Sequence, residues 1–121
     1  MRNIHLIISL IIVVPIAIIY GFFPDSIFEI HPTTIDEHDV FKAIMGMYLA
    51  FSLFWIWGIF HSKYWKSATI SNMLFMFGLA FGRVLSLFFD GIPSPLFSLG
   101  TIGEMVLGAF AFYQLQTHSE L

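Results

Sequence analysis

Long apolar stretches separated by short polar segments are the dominant pattern in this chain. Residues 3–24 and 43–62 contain no Asp, Glu, Lys or Arg, which gives charge-free stretches of 22 and 20 residues. A helix needs about 20 mostly apolar residues to cross a membrane. The pattern therefore predicts two membrane-spanning helices, at residues 4–23 and 40–61.

The second half of the chain continues this pattern with one charge inside each apolar stretch. Arg83 and Glu104 each interrupt a stretch that is otherwise long enough to span. The segment Gly-Ile-Pro-Ser-Pro at 91–95 is typical of a tight turn. We therefore predict two more spans, at residues 68–90 and 96–116, which form an antiparallel hairpin. The expected fold is all-α, an integral membrane bundle of four transmembrane helices.

The composition supports assigning residues 1–121 to a single membrane domain. Hydrophobic residues make up 58% of the chain and charged residues 11%, against roughly 45–50% and about 25% in soluble domains. Five basic and eight acidic side chains are too few to cover a small soluble domain. The net charge of −3 argues against a nucleic-acid partner. Because the sequence has no Cys, disulfides and thiolate metal sites are excluded.

The positions of the charged residues predict the orientation. Basic residues near span ends favour the cytoplasm, and Arg2, Lys63 and Lys66 lie at the N-terminus and in the predicted connector 61–67. The loop at 24–39 has no Lys or Arg. Its acidic residues are Asp25, Glu29, Asp36, Glu37 and Asp39. We expect a multi-pass membrane protein with both termini in the cytoplasm.

The first span has an alternative interpretation as a cleaved signal peptide. Its apolar stretch, residues 4–19, is long for such a peptide, and no cleavage motif follows it, so we expect it to stay attached. The span shows no polar stripe and is expected to face lipid or another protein. Tyr20, His5 and His61 lie near span ends, where interfacial anchoring is the expected role.

Arg83 and Glu104 are predicted to form an ion pair. Arg83 lies seven residues before Asp90, roughly 10 Å from the end of its span at about 1.5 Å per residue, and Glu104 lies roughly 12 Å from the start of the next. Charged side chains at such depths normally face the bundle interior and find partners. The short turn makes the two helices neighbours, so the two charges can meet.

Other polar and small residues extend this prediction to a site. Helical spacing suggests a polar cluster in the outer half of the bundle, formed by Asp39, Lys42, Arg83, Ser86, Asp90 and Glu104. Small residues at four-residue spacing allow close helix packing; these are Gly46, Gly78, Gly82, Gly100 and Gly108. Two interpretations stay open. The cluster either sets helix register alone or contacts a ligand, a lipid headgroup or a coupling proton.

The sequence offers no convincing metal, haem or catalytic site. His31 and His38 lie in the acidic loop, but their seven-residue separation matches no recognised ligand spacing. A haem between His5 and His61 would need them in the core rather than at helix ends. No Ser lies beside a base in a way that indicates nucleophilic catalysis. We therefore expect no metal, no cofactor and no catalytic residue.

Three segments carry a resemblance to a known family. They are Lys-Ala-Ile-Met-Gly-Met-Tyr-Leu-Ala at 42–50, the stretch 81–95 with its Gly-Arg followed by Asp-Gly-Ile-Pro, and 100–108 with Glu104. Together they resemble an uncharacterised bacterial membrane family, the domain of unknown function numbered 4345, from Phe22 to Phe112. The resemblance implies a four-helix inner-membrane protein and supplies no activity. Lys42 stands where the family pattern suggests Arg, which keeps the charge but loses bidentate geometry.

Three functions are compatible with this pattern. We favour a small non-enzymatic membrane protein that binds a lipid, a small molecule or a partner helix, as an accessory subunit or a homo-oligomer. The alternative is a proton-coupled transporter that works as a dimer through Glu104, similar in size to the small multidrug resistance transporters. A membrane enzyme with Glu104 or Asp39 as base is a third hypothesis. Pairing of Glu104 with Arg83 favours the first over the second.

Overall fold

The computed structural model describes residues 2–27, 31–93 and 95–118, so Glu29 of the acidic loop and Ser94 of the predicted turn lie outside the described residues. Within these ranges the chain is helical and forms no strand. The helices are α1 (Ile4–Phe22), α2 (Pro24–Ile27), α3 (Ile35–Phe60), α4 (Ser62–Asp90) and α5 (Pro95–His118).

Four of the helices, α1, α3, α4 and α5, are long and apolar enough to cross a membrane. The shortest, α1, has 19 residues, which at about 1.5 Å per residue is close to the ~30 Å thickness of a bilayer core. The all-α architecture with four span-length helices agrees with the prediction from the charge-free stretches. Two of the helices, α3 and α4, begin well before the spans predicted for them.

The start of α3 lies five residues before the predicted residue 40. The Thr34 hydroxyl accepts a hydrogen bond from the Glu37 backbone N–H at 3.1 Å and donates to the Glu37 carboxylate at 3.2 Å. The same carboxylate accepts from the Thr33 N–H at 3.3 Å. Thr34 is thus the N-cap of α3, and its hydroxyl satisfies one of the N–H groups that a helix start leaves without an intrahelical partner. The cap, rather than the edge of the apolar stretch, decides where α3 begins.

The predicted connector at 61–67 is mostly helical, because a single extended residue, His61, joins α3 to α4. Lys63 and Lys66 instead lie in the first turns of α4. Trp65 of the same segment is 2% exposed, and its indole N–H donates to the Arg2 carbonyl at 3.2 Å. Charged residues end an apolar stretch without ending a helix, so the charge pattern placed this boundary too late.

The four long helices alternate in direction. We call the end with residues 2–3, 61 and 118 the terminal end, and the end with residues 23–27, 31–34, 91–93 and 95 the loop end. Helix α4 packs most extensively against α5, α1 against α3, and α3 against α4. Few contacts join α1 to α5, so the ring of helices is least closed along the α1–α5 seam.

The bundle exterior is strongly apolar. Phe81, Phe88 and Phe89 on α4 are 66%, 83% and 83% exposed. A soluble protein rarely exposes large contiguous apolar surface, whereas this is the surface that lipid solvates well.

The interior contains polar side chains as well as apolar ones. The buried residues of α1 recur at helical spacing and include His5, Ser9, Val13, Ala17 and Tyr20. Helix α1 therefore packs one face into the bundle and carries a polar stripe at its N-terminal half, which corrects the expectation that this span has no polar stripe. His5 and Tyr20 are buried, so the interfacial role expected for them is wrong.

Candidate functional site

The predicted ion pair between α4 and α5 is present. The Arg83 Nε–H donates to the Glu104 carboxylate oxygen Oε1 at 2.8 Å. The two side chains are 24% and 13% exposed, so the pair is partly buried. Within residues 2–27, 31–93 and 95–118 it is the only contact between opposite charges within 4.0 Å.

The short link between α4 and α5 brings the two charges to the same depth. Helix α4 ends at Asp90, and Gly91 follows with φ of 97°, a left-handed backbone conformation that glycine adopts without steric cost. Helix α5 begins with Pro95, whose fixed φ suits the first turn of a helix. Arg83 and Glu104 therefore lie at similar distances from the turn on adjacent antiparallel helices.

Two aromatic residues hold Arg83 in place. Its guanidinium carbon lies 5.5 Å from the centre of the Phe97 ring on α5, a cation–π geometry. Its side chain is also close enough to the Tyr20 hydroxyl of α1 for a hydrogen bond. Arg83 thus connects three helices, and through Tyr20 it bridges the loosely packed α1–α5 seam.

A cavity of about 280 Å³ lies beside the ion pair along this seam. Its walls are mainly apolar and come from α1, α4 and α5; they include Ile12, Val13, Ile16, Leu79, Leu96 and Leu107. Its polar side chains are Arg83, Glu104, Tyr20 and Tyr48, the last from α3. The cavity therefore combines an apolar body with a polar group of donors and acceptors toward the loop end.

The family of this chain follows from its sequence. The family model described as a domain of unknown function (DUF4345) matches residues 1–115. The chain belongs to this family. The match takes in α1, α3, α4 and most of α5 with both members of the ion pair, as the resemblance of the three segments implied. Searches of curated proteins and of solved structures gave no match for this DUF4345 chain.

The other polar residues expected at the site do not join the ion pair in this DUF4345 chain. Ser86 donates to the Asp90 carboxylate at 3.0 Å, an exposed contact within α4. Asp39 and Lys42 are exposed, and the Lys42 ammonium lies 5.7 Å from the Phe22 ring centre. None of these four residues lines the cavity or lies within 4.0 Å of an opposite charge among the described residues. The convergent group is therefore smaller than expected.

Most of the glycines predicted to allow close helix packing do not do so within one chain. A Cβ added at Gly108 would meet the Phe77 ring at 2.7 Å. The corresponding positions at Gly46, Gly78, Gly82 and Gly100 have no described atom of a neighbouring element within 4 Å. The tight glycines that the sequence analysis did not identify are Gly21, against Met45, and Gly58, against Ala68. Spacing alone does not tell which neighbour a glycine faces.

Tyr20, Tyr48 and Phe97 are the site residues that the sequence analysis missed. Tyr20 was assigned to the interfacial belt from its position at the end of a span. A signal was available, because Val13, Ala17 and Tyr20 recur at the three- to four-residue spacing of one helix face. Tyr48 and Phe97 had no comparable signal, since aromatic residues are frequent throughout the chain.

Proposed function

We propose that this DUF4345 protein is a non-enzymatic integral membrane protein that binds an amphiphile, a membrane lipid or a single-chain molecule, in the cavity beside Arg83 and Glu104. The observation that carries the proposal is the cavity itself, which places mainly apolar walls next to an ion pair and two tyrosines. Ligand sites are commonly apolar clefts with a few polar groups that orient the ligand.

The polar groups indicate which head group suits the site. A guanidinium has five N–H donors; the Glu104 carboxylate uses the one on Nε, and the Tyr20 hydroxyl is within reach of another. The remaining donors suit hydrogen-bond acceptors such as ester, carboxylate or phosphate oxygens. Because Glu104 balances the charge of Arg83, the head group need not be anionic.

The dimensions of the cavity suit part of a lipid chain. At roughly 30 Å³ for each water-sized group, about 280 Å³ accommodates a short segment of an acyl chain or a ring. The rest of a longer ligand would extend through the α1–α5 seam into lipid.

We further propose that the protein lies in the bacterial inner membrane with both termini in the cytoplasm. Arg2, Lys63 and Lys66 lie at the terminal end, whereas Asp36 and Asp39 begin α3 at the loop end, which is the asymmetry that the positive-inside rule uses. The cavity then opens in the outer half of the membrane.

The absence of Cys allows a direct test of this orientation with Thr33→Cys and Ser67→Cys. A membrane-impermeant thiol reagent on intact cells should label only Thr33→Cys; labelling of only Ser67→Cys would reverse the orientation.

The transporter alternative is less well supported. A proton-coupled carrier acting through Glu104 would have to exchange Arg83 for a proton in every cycle, and the 2.8 Å contact between the two side chains opposes this. An accessory or binding role requires no such exchange.

Photolabelling in lipid nanodiscs tests amphiphile binding. The probes are a palmitic acid and a phosphatidylethanolamine, each with a diazirine in its acyl chain, to distinguish a free single-chain amphiphile from a membrane lipid. Labels should concentrate on the cavity walls of α1 and α5. Ile16→Trp fills the cavity and should suppress labelling there, whereas Ile11→Trp, at a position 67% exposed on the same helix, should not. Equal labelling of both folded variants and the unmodified protein would refute the proposal.

A further inference from the structure

A second group of polar side chains is buried in the terminal half of the bundle. His5 and Ser9 lie one turn apart on α1, and Thr69 and Asn72 lie three residues apart on α4. All four have 0% exposure. The His5 Nε2 and the Thr69 hydroxyl oxygen are 3.0 Å apart and share a hydrogen bond. This polar group is separate from the ion pair, which lies toward the loop end.

The hydrogen bond between His5 and Thr69 sets the register of the two helices. Both helices run from the terminal end to the loop end, so residues at similar offsets from this contact lie at similar depths. Ser9 is four residues beyond His5, about 6 Å, and Asn72 is three residues beyond Thr69, about 4.5 Å. Ser9 and Asn72 therefore lie at nearly the same level of the bundle core.

Ser9 and Asn72 have hydrogen-bonding atoms that no described residue satisfies. These are the Ser9 Oγ and both Oδ1 and Nδ2 of Asn72. Two other buried hydroxyls among the described residues are satisfied by their own helix: Ser52 donates to the Tyr48 carbonyl at 2.8 Å and Thr101 to the Phe97 carbonyl at 3.1 Å. Ser9 makes no such bond, although its position in α1 would allow one. Leaving these groups unsatisfied in an apolar core costs free energy.

We propose that Ser9 and Asn72 bind water inside the bundle. Three unsatisfied donor and acceptor atoms match the roughly three hydrogen bonds that a buried water makes. The Nδ1 of His5 and the Oδ1 of Asn3 are also buried without a hydrogen-bond partner among the described residues. These two atoms extend the row of unsatisfied polar atoms toward the terminal end. A larger ligand is disfavoured because the fully buried Leu6 and Met76 belong to the same part of the core.

This hydration site lies next to the apolar end of the cavity but does not belong to it. Val13 and Met76 line the cavity, and each lies four residues beyond Ser9 or Asn72 on its own helix, about 6 Å along the axis. Water at Ser9 and Asn72 would thus reach within about one helical turn of the cavity. The site does not depend on what the cavity binds.

Nuclear magnetic resonance can test the site on the unmodified protein. The chain has two asparagines, Asn3 and Asn72, so asparagine-selective ¹⁵N labelling gives only two side-chain amide signals. We expect a water cross-peak at the Asn72 amide protons with the sign of a long-lived bound water. The indole N–H of Trp55 is the matched control, because it is equally buried but donates to Ser71 at 3.1 Å, and it should show no water cross-peak.

Variants then test which side chains hold the water. In Asn72→Leu one side-chain amide signal disappears, which identifies that signal as the one from Asn72. Ser9→Ala should shorten the residence time of the water seen from Asn72 by about tenfold or more, because one of its hydrogen bonds is lost. Absence of a water cross-peak at Asn72 in the unmodified protein would overturn the proposal. An unchanged residence time in Ser9→Ala would overturn the role of Ser9.

Discussion

Substituting Arg83 by Leu leaves Glu104 without its partner inside the bundle. Glu104 is only 13% exposed and has its ion-pair contact with Arg83 alone among the described residues. Removing one member of a buried pair costs about 3–5 kcal/mol, because the other charge is left uncompensated. A charge at mid-membrane costs about 2.5–3.5 kcal/mol on insertion scales. Since both side chains keep some exposure, we expect Arg83→Leu to lower the free energy of unfolding by about 3 kcal/mol.

Replacing both charges should be less harmful than replacing one. In Arg83→Leu/Glu104→Leu no charge remains in the pair, and exchanging a buried ion pair for apolar residues is often close to neutral. We therefore expect the double variant to be about 2 kcal/mol more stable than Arg83→Leu alone.

Reversible unfolding in mixed micelles, followed by helix content and by the fluorescence of the three Trp residues, measures these differences. Ser86→Ala is the matched control on the same helix. It removes an exposed hydrogen bond to Asp90 and should change stability by less than about 0.5 kcal/mol. If the effects of Arg83→Leu and Glu104→Leu simply add in the double variant, the two side chains do not stabilise each other and our interpretation of the site fails.

Four further substitutions test the fold around the site in the same unfolding assay. Gly58→Ala places a methyl group against Ala68 and should cost about 1–3 kcal/mol by overpacking. Gly78→Ala has open space at its Cβ position and should stabilise α4 by up to about 1 kcal/mol. Equal effects of the two substitutions would refute close α3–α4 packing. Thr34→Ala removes the α3 cap and should cost about 1 kcal/mol, with faster amide exchange in the first turn; unchanged exchange would argue against the cap. Gly91→Ala forces a side chain into a backbone with φ of 97° and should cost about 1–3 kcal/mol; no loss would mean that the turn adopts another conformation.

The helix count and the ion pair were accessible from sequence for a simple reason. Membrane helices need long apolar stretches, so a stretch without charges reports both the existence and the approximate position of a span. The short turn after Asp90 then makes α4 and α5 neighbours, and similar residue counts from the turn give Arg83 and Glu104 similar depths. Both steps rest on local geometry along the chain. The start of α3 differs from the predicted residue because it depends on the N-cap at Thr34, which apolar patterning does not detect.

The wider site was not accessible in this way, because it depends on contacts between helices distant in sequence. Asp39 and Lys42 have the right composition for a polar cluster, yet α3 places them on the exterior. Tyr20 contacts Arg83 only because α1 lies beside α4 and α5 in the bundle. Gly78 and Gly82 have the spacing of a packing motif, but the face they occupy meets no other described helix.

The sequence by itself determined the class of this protein: four apolar helices and one pair of opposite charges at matching depth in adjacent spans. These properties follow from periodicity and from the rise per residue, which are the same in every helix. Only the tertiary structure decided which faces of the helices meet, and hence that the α1–α5 seam contains a cavity at the ion pair and that Ser9 and Asn72 are both buried at nearly the same level of the core. Helix rotation and lateral order depend on the packing of all four helices at once, and no local stretch of sequence specifies them.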